Sequence, residues 1–172
     1  PMNTNELKAF SELLTGALEV YGQRTSKLVI NIWWNALENY DQVLWLDNDI
    51  EVRENPVPLF DLIEDGKLLI ARDEWSYTPQ RPMWNTGIVG ANRSAIPLLK
   101  IWKNVCDQKV RRGDQECLAA YLNKFVPYPE ERAITRMPRE WHGQRLGEND
   151  LKFKMFHWHG PEGKTFMREN LL

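Results

Sequence analysis

The sequence predicts an α/β fold in which a mixed sheet is flanked by helices. An apolar run at residues 42–46 ends directly in Asp47-Asn48-Asp49, as a strand does when it delivers polar groups to the edge of a sheet. Segments with helical and with strand-like patterns follow it along the chain. With 172 residues and 42% hydrophobic content, the chain is long enough for one compact domain and too short for two ordinary ones. We therefore expect residues 1–172 to form a single domain.

Helices are predicted where apolar side chains recur every three or four residues. These segments cover residues 6–20, 26–38, 95–110 and 114–124. The last one opens with Asp114, and an acidic residue is favourable there because it faces the positive end of the helix dipole. Pro56 and Pro58 break the chain before a short helical turn at residues 59–63.

Strands are predicted for shorter apolar runs that are bounded by turn residues. They cover residues 42–46, 68–71, 85–91, 125–128 and 153–159. The first run is so uniformly apolar that we expect a central strand covered on both faces. The polar stretch at residues 129–150 is predicted to be a long loop, and loops of that length are usually functional or mobile.

Composition excludes several classes of protein. The formal net charge of −2 gives no electrostatic basis for nucleic-acid binding. No window approaches the roughly 18 uninterrupted apolar residues of a membrane span, and no signal-type apolar region opens the chain. We therefore predict a soluble domain without a membrane span, with the cytoplasm as its expected location. Cys106 and Cys117 lack metal-ligand spacing and are expected to be reduced, partly buried thiols.

The acidic pair after the first strand is the main candidate site. Alternation along an extended chain puts Asp47 and Asp49 on the same side. Two hard anionic oxygen donors suit Mg²⁺ or Mn²⁺, and such an ion usually also holds phosphates. The alternative is an ordinary Asp-Asn-Asp turn whose side chains cap local backbone amides.

Two further clusters supply polar groups from the middle of the chain. Asn85 offers both a donor and an acceptor, and Gly87 allows a close backbone approach, although the segment also fits a plain loop-to-strand junction. Asp114 and Gln115 stand at a predicted helix start, where Asp114 has the alternative role of an N-cap.

The last cluster follows the final predicted strand. In an extended segment His157 and His159 face the same way, so either could complete an oxygen-rich metal site with a neutral imidazole. Lys164 could neutralise a pyrophosphate. The alternative is a structural histidine, but a His-x-His pair beside Gly-Pro and a lysine is less easily explained by packing.

The order of these segments resembles the glycogenin and lipopolysaccharide galactosyltransferase family of retaining, GT-A fold glycosyltransferases. The family pattern runs D-x-D, N-[AST]-G, D-Q-[DE], L-P-x-x-W-N and H-x-x-G-x-x-K. Between about residues 24 and 164 this chain offers Asp47-Asn48-Asp49, Asn85-Thr86-Gly87, Asp114-Gln115-Glu116, Met137-Pro138-Arg139-Glu140-Trp141-His142 and His157-Trp158-His159-Gly160. It departs from the pattern where His142 replaces the asparagine and where Lys164 lies one residue later than the family lysine.

The resemblance implies a GT-A-like, Rossmann-like fold and a metal-dependent transfer of a sugar from a nucleoside diphosphate, usually UDP, with retention. It implies Mn²⁺ or Mg²⁺ as the cation and a glycan, lipid or protein as the acceptor. By motif position Asp47 and Asp49 would hold the cation with His157, while His159 competes for that role. Donor-binding positions would be Asn85, Gly87, Trp141 and Lys164, with Asp114 and Gln115 at the catalytic centre. Since a neutral amide is a poor nucleophile, we expect front-face displacement rather than a covalent intermediate.

The family also has a nucleotide-binding strand and helix well before the acidic pair, where this chain offers only a helical pattern. Three interpretations stay open: a fragment of a longer enzyme, a chain from which residues are omitted, or a degraded domain that has lost donor binding. Two other function classes also stay open. A haloacid dehalogenase-type phosphatase begins its site with a strand and D-x-D as well. A non-catalytic carbohydrate-binding relative of the same fold is the other.

Overall fold

The computed structural model describes residues 25–74, 76, 82–108, 113–126, 129–144 and 152–171. The predicted helix at residues 6–20 lies outside these ranges. The residues that could form an upstream nucleotide-binding strand also lie outside these ranges. The single domain at residues 1–172 therefore stays a prediction.

Two mixed sheets carry the described part of the chain. The larger sheet contains β1 (Gln42–Leu46), β3 (Leu68–Arg72), β4 (Trp84–Asn92) and β5 (Ile134–Arg136), in the order β1-β4-β3-β5. The smaller sheet contains β2 (Ile50–Val52), β6 (Gly143–Gln144) and β7 (Met155–His157), in the order β2-β7-β6. Strand β4 runs antiparallel to β1 and β3, whereas β5 is parallel to β3. In the smaller sheet β7 runs antiparallel to β2 and parallel to β6.

Helices cover the larger sheet and follow the last strand. They are α1 (Thr25–Asn39), α2 (Ile96–Gln108), α3 (Asp114–Phe125), α4 (Pro129–Arg132) and α5 (Gly160–Asn170). Short 3-10 turns occupy Val57–Leu62, Arg93–Ala95 and Arg139–Trp141. Among the described residues, none of these helices has the length and apolar character needed to cross a bilayer.

The core lies on both faces of the larger sheet because strand residues alternate between them. Leu68 and Ile70 of β3 pack under α1, α2 and α3, together with Trp33 and Trp102. Their neighbour Leu69 faces the other way and packs against the 3-10 turns and the smaller sheet. This arrangement confirms the predicted α/β class with mixed sheets flanked by helices. The buried thiols of Cys106 and Cys117, which are free, also agree with expectation.

The prediction that β1 is a central strand is wrong for the described residues. Here β1 lies at an edge of the larger sheet, and most of its residues are half-buried. The central position belongs to β4, whose nine residues are all buried. The apolar run in β1 is explained by packing of Val43 and Trp45 beneath the helices and of Leu44 against the opposite face.

Two predictions towards the C-terminus are also wrong. The strand predicted at residues 125–128 is absent from its described part, where Phe125 is the last residue of α3 and its side chain is 61% exposed, while residues 127 and 128 lie outside the described ranges. The expected loop at residues 129–150 instead contains α4, β5, a 3-10 turn and β6 within its described part. These elements are too short for periodicity to reveal, and the two strands among them form only by pairing, β5 with β3 and β6 with β7. The strand expected at residues 153–159 is present only as β7, and α5 follows it.

We expect the packing of α2 against the sheet to contribute strongly to stability. Leu99 of α2 is fully buried, so Leu99→Ala should lower the free energy of unfolding by about 2–5 kcal/mol. Ile101 of the same helix is 38% exposed, and Ile101→Ala should change it by less than about 0.5 kcal/mol. Urea titration followed by circular dichroism measures both, and equal losses would contradict this assignment of the buried face.

Candidate metal and donor site

The acidic pair sits in the turn between β1 and β2. The Asp47 N–H donates to the Gly87 carbonyl at 2.8 Å, and the Ile50 N–H donates back to the Asp47 carbonyl at 3.1 Å. The indole Nε1 of Trp45 donates to Asp47 Oδ1 at 2.8 Å, which orients that carboxylate. Burial raises the pKa of Asp47, and the hydrogen bond from Trp45 opposes this rise.

Strand pairing brings His157 to the acidic pair. In the register of β2 and β7, Ile50 lies opposite His157, and the Trp158 N–H donates to the Asp49 carbonyl at 2.9 Å. His157 Nε2 then lies 3.2 Å from Asp49 Oδ1. One ligand atom from each of Asp47, Asp49 and His157 falls within 4.8 Å of the other two. Carboxylate oxygens suit Mg²⁺ and Mn²⁺, and one imidazole moves the preference towards a transition-metal ion such as Mn²⁺, so the donor set fits such a cation.

A lysine completes the charge arrangement around Asp49. Lys164 Nζ lies 3.2 Å from Asp49 Oδ2. Burial would raise the pKa of Asp49, but the hydrogen bond and charge of His157, with the charge of Lys164, outweigh it and lower the pKa to about 2. Asp49 is therefore an ionised carboxylate throughout the neutral pH range.

The start of α5 sets the position of Lys164. Gly160 has a φ of +80°, a conformation that side chains rarely adopt, and Pro161 follows it in the first turn. A Cβ on Gly163 would lie 2.6 Å from the Trp158 carbonyl carbon, so glycine lets the helix rest on that backbone. These contacts bring Lys164, one position later than in the family pattern, to the carboxylate.

The two candidate histidine ligands have different environments. His157 is buried, whereas His159 is exposed and precedes the first residue of α5. Their ring centroids are 5.2 Å apart. Both line the cleft described below, but the cluster of potential ligand atoms contains His157 and not His159.

Gly87 leaves room for the histidine. A Cβ built on Gly87 would lie 2.5 Å from Cε1 and 2.6 Å from Nδ1 of His157. Side-chain atoms do not approach this closely, so the imidazole occupies space that only glycine leaves open. The Asn-Thr-Gly segment therefore supports the histidine as well as the wall of the cleft.

A cleft of about 390 Å³ opens beside these groups. Its lining comprises Asp47, Asp49, Asp73, Ser76, Met83, Thr86, Gly87, Asp114, Gln115, Glu116, His157, His159 and Lys164. Among these residues five are acidic, and Lys164 carries the fixed positive charge. Burial raises the pKa of Asp114, and a hydrogen bond from Thr86 opposes the rise. A diphosphate would be repelled by this many carboxylates unless a cation offset part of their charge.

The structure places the other predicted residues as follows. Asp114 and Gln115 lie in the first turn of α3 and line the cleft, with Gly113 at the N-cap position. Asn85 is buried behind the cleft wall, where its side chain bonds to other side chains and to the Gly87 N–H. Trp141 packs into the core beside Met137, and Lys154 lies over its ring at 4.6 Å. Neither Asn85 nor Trp141 is among the residues that line the cleft.

Two buried polar residues at the site were not identified by the sequence analysis. Asp73 follows β3 as Asp47 follows β1, and an acidic residue after a predicted strand was a usable signal. Gln144 belongs to β6, in the stretch that was expected to be loop, so no local pattern pointed to it.

Neither a protein-family profile nor a curated protein sequence matches the chain. Solved structures do match. A glycosyltransferase involved in glycosylation of the major capsid of PBCV-1 has 16% sequence identity and a TM-score of 0.57 over 85% of this chain and 76% of its own. The galactosyltransferase LgtC, in complex with donor and acceptor sugar analogs, has 16% identity and a TM-score of 0.56 over 80% of this chain and 59% of its own. Mouse xyloside xylosyltransferase 1, in its apo form, has 16% identity and a TM-score of 0.51 over 75% of this chain and 63% of its own.

The fold is that of the GT-A glycosyltransferases. This likeness concerns the backbone, because identities of 16% do not carry residue roles across. The chain spans less than two thirds of the length of LgtC and of the xylosyltransferase, at 59% and 63%. The narrower resemblance to the glycogenin family stays a prediction.

We expect Gly87→Ala to displace the His157 ring and to weaken Mn²⁺ binding by about 10-fold or more, because the ligand geometry is lost. Gly90→Ala in the same strand is a matched control, since its Cβ would meet Ile63 and Leu69 at 3.1 Å and neither of these lines the cleft. Isothermal titration with Mn²⁺ measures both affinities, and circular dichroism checks that both variants fold. Wild-type affinity in Gly87→Ala would show that the His157 position does not matter for the ion.

Proposed function

We propose that this chain is a metal-dependent glycosyltransferase that transfers a sugar from a nucleoside diphosphate sugar, with UDP as the expected carrier. The observation that carries the proposal is the convergence of Asp47, Asp49 and His157 beside Lys164 at a cleft within a GT-A fold. The solved structures described above are glycosyltransferases, and one of them holds donor and acceptor sugar analogs. The acceptor would be a glycan, a lipid or a protein.

Asp47, Asp49 and His157 would hold a divalent cation, with Mn²⁺ preferred because an imidazole is among the donors. When bound, this cation would act as a Lewis acid that stabilises negative charge on the departing diphosphate. Lys164, whose side chain is 55% exposed, is free to turn from Asp49 towards the same phosphates. His159 lines the cleft and would contact the donor or complete the coordination from the exposed side.

Asp114 and Gln115 would orient the donor sugar at the opposite wall of the cleft. Neither group is a strong nucleophile candidate: Gln115 carries a neutral amide, and burial raises the pKa of Asp114. We therefore favour front-face displacement with retention, in which these residues position the sugar and the leaving group supplies the driving force. The phosphatase alternative is not proposed, because the structures that share the fold are glycosyltransferases.

The central test measures release of UDP from a panel of UDP-sugars by the full chain, with and without Mn²⁺. We expect turnover that requires Mn²⁺ and that falls by more than about 100-fold in Asp49→Ala, because loss of a direct ligand exceeds the 10–100-fold effect of outer partners. Asp61→Ala removes an exposed carboxylate away from the cleft and should leave turnover unchanged.

The outcomes of this test separate the function classes. Mn²⁺-dependent UDP binding that is unchanged in Asp49→Ala would contradict the metal assignment. Binding of nucleotide sugars or glycans without turnover would support a non-catalytic relative. Hydrolysis of p-nitrophenyl phosphate would support a phosphatase instead of a glycosyltransferase.

A second prediction separates a catalytic from a structural role for Asp114. Because Gly113 and not Asp114 is the N-cap, the structural role left to Asp114 is to stabilise the first turn of α3, and Asp114→Asn would then cost less than about 1 kcal/mol. If Asp114 orients the donor, kcat should instead fall by about 100-fold or more while the melting temperature hardly changes. Steady-state kinetics and thermal unfolding measure the two effects. Near-wild-type kcat in Asp114→Asn, with only a lower melting temperature in Asp114→Ala, would assign Asp114 to the helix start alone.

A further inference from the structure

A chain of buried hydrogen bonds links the metal ligand to the other wall of the cleft. Asp73 Oδ1 accepts from Gln144 Nε2 at 2.9 Å, and Gln144 Oε1 accepts from Asn85 Nδ2 at 3.2 Å. Asn85 Oδ1 then lies 3.2 Å from His157 Nδ1. We call these four residues the amide relay. Each is at most 7% exposed, so the hydrogen bonds that link them lie inside the protein.

The direction of the relay is fixed at its Asp73 end. An ionised carboxylate only accepts hydrogen bonds, and Asp73 also receives Gln115 Nε2 at 2.7 Å and the Ser76 N–H at 3.3 Å. Gln144 must therefore turn its NH₂ towards Asp73 and its carbonyl oxygen towards Asn85. In consequence Asn85 must meet Gln144 with its own NH₂, which leaves its oxygen on the side of His157.

The other end of the relay gives the same direction independently. The Gly87 N–H donates to Asn85 Oδ1 at 2.9 Å, and a backbone N–H cannot become an acceptor. Asn85 Oδ1 is thus an acceptor on both arguments. The His157 Nδ1 that faces this oxygen must then carry a proton, because two lone pairs would repel each other.

A proton held on Nδ1 leaves Nε2 as the nitrogen that can coordinate a cation. This is the nitrogen that faces Asp49 Oδ1 at 3.2 Å, on the side of the acidic pair. The same Asp73 carboxylate holds the Gln115 amide through Oδ2. Gln115 lines the cleft, and its amide bonds to Asp73 through nitrogen. Its amide oxygen is therefore the atom that Asp73 does not hold.

We propose that Asp73 is a positioning residue whose two oxygens set the hydrogen-bond direction on both sides of the cleft. Through Gln144 and Asn85 it holds His157 in the tautomer that presents Nε2 to the cation, and directly it orients the Gln115 amide. The metal-binding part of this inference rests on the proposed function. The direction of the relay and the proton on His157 Nδ1 are properties of the protein alone, whereas Nε2, which faces Asp49 Oδ1, gives up its proton only when the cation takes its place.

The sharpest test moves the carboxylate from one end of the relay to the other. Asn85→Asp leaves the Gln144 oxygen facing a carboxylate, and reversal of Gln144 would only move the opposed pair to Asp73. Asp73→Asn can keep its oxygen on Gln144 and turn its NH₂ to Gln115, whose amide can reverse, so this variant alone leaves the relay intact. In the double variant Asp73→Asn/Asn85→Asp, Gln144 can reverse, donate to the carboxylate at position 85 and accept from the amide at position 73. The carboxylate at position 85 still accepts from His157 Nδ1 and from the Gly87 N–H. The net charge is also unchanged.

We expect the double variant to unfold at a higher urea concentration than Asn85→Asp alone, measured in EDTA. It should bind Mn²⁺ at least about 10-fold more tightly than the product of the two single effects predicts. In ¹⁵N-histidine-labelled protein at pH 8, a proton on His157 Nδ1 should be visible in the wild type and in the double variant, assigned by its loss in His157→Gln. Asn104→Asp, at an exposed position of α2, controls for the added charge.

Single effects that simply multiply in the double variant, or a wild-type His157 without a proton on Nδ1, would overturn the proposal. Failure of the wild type to bind Mn²⁺ would overturn the proposed function instead. In that case the urea measurements and the histidine spectrum still decide whether the relay operates.

Discussion

The site depends on the pairing of two short strands, β2 and β7. Asp49 and His157 are 108 positions apart in the sequence, yet the Ile50–His157 register and the bond from the Trp158 N–H to the Asp49 carbonyl hold them together. A slip by one residue would turn the imidazole to the other face of the smaller sheet and away from the acidic pair. Gly87 and the start of α5 are both arranged around this pairing, since the former admits the imidazole and the latter delivers Lys164.

The electrostatics of the cleft would favour a bound cation. Five acidic side chains line one cavity, and burial raises the pKa of two of them, Asp47 and Asp114. Asp49 is the exception, because His157 and Lys164 outweigh its burial. The chain thus keeps one carboxylate firmly ionised at the point where the two sheets meet. A divalent ion placed there would offset the remaining negative charge and give an anionic leaving group a favourable place to bind.

Buried polar groups give the site its rigidity. The side chains of Asn85 and Gln144 bond to each other and to their neighbours. They therefore support the wall of the cleft from behind and do not line it. Buried networks of this kind are favourable only when every member is paired, and the two fixed ends of this one agree on a single direction. Trp45 plays a comparable part for Asp47, to which its indole donates while its ring packs against Trp33 in the core.

The sequence by itself determined the features that depend on neighbouring residues. The bounds of β1, the helix opened by Asp114 and the order of the polar motifs all follow from local patterns, and they were sufficient for the α/β class. Tertiary structure alone decided that β1 is an edge strand in the described region, that Trp141 belongs to the core, and that Asp73 and Gln144 join the site. The physical reason is that these outcomes depend on strand order and register between distant segments. Periodicity within a short window contains no information about either.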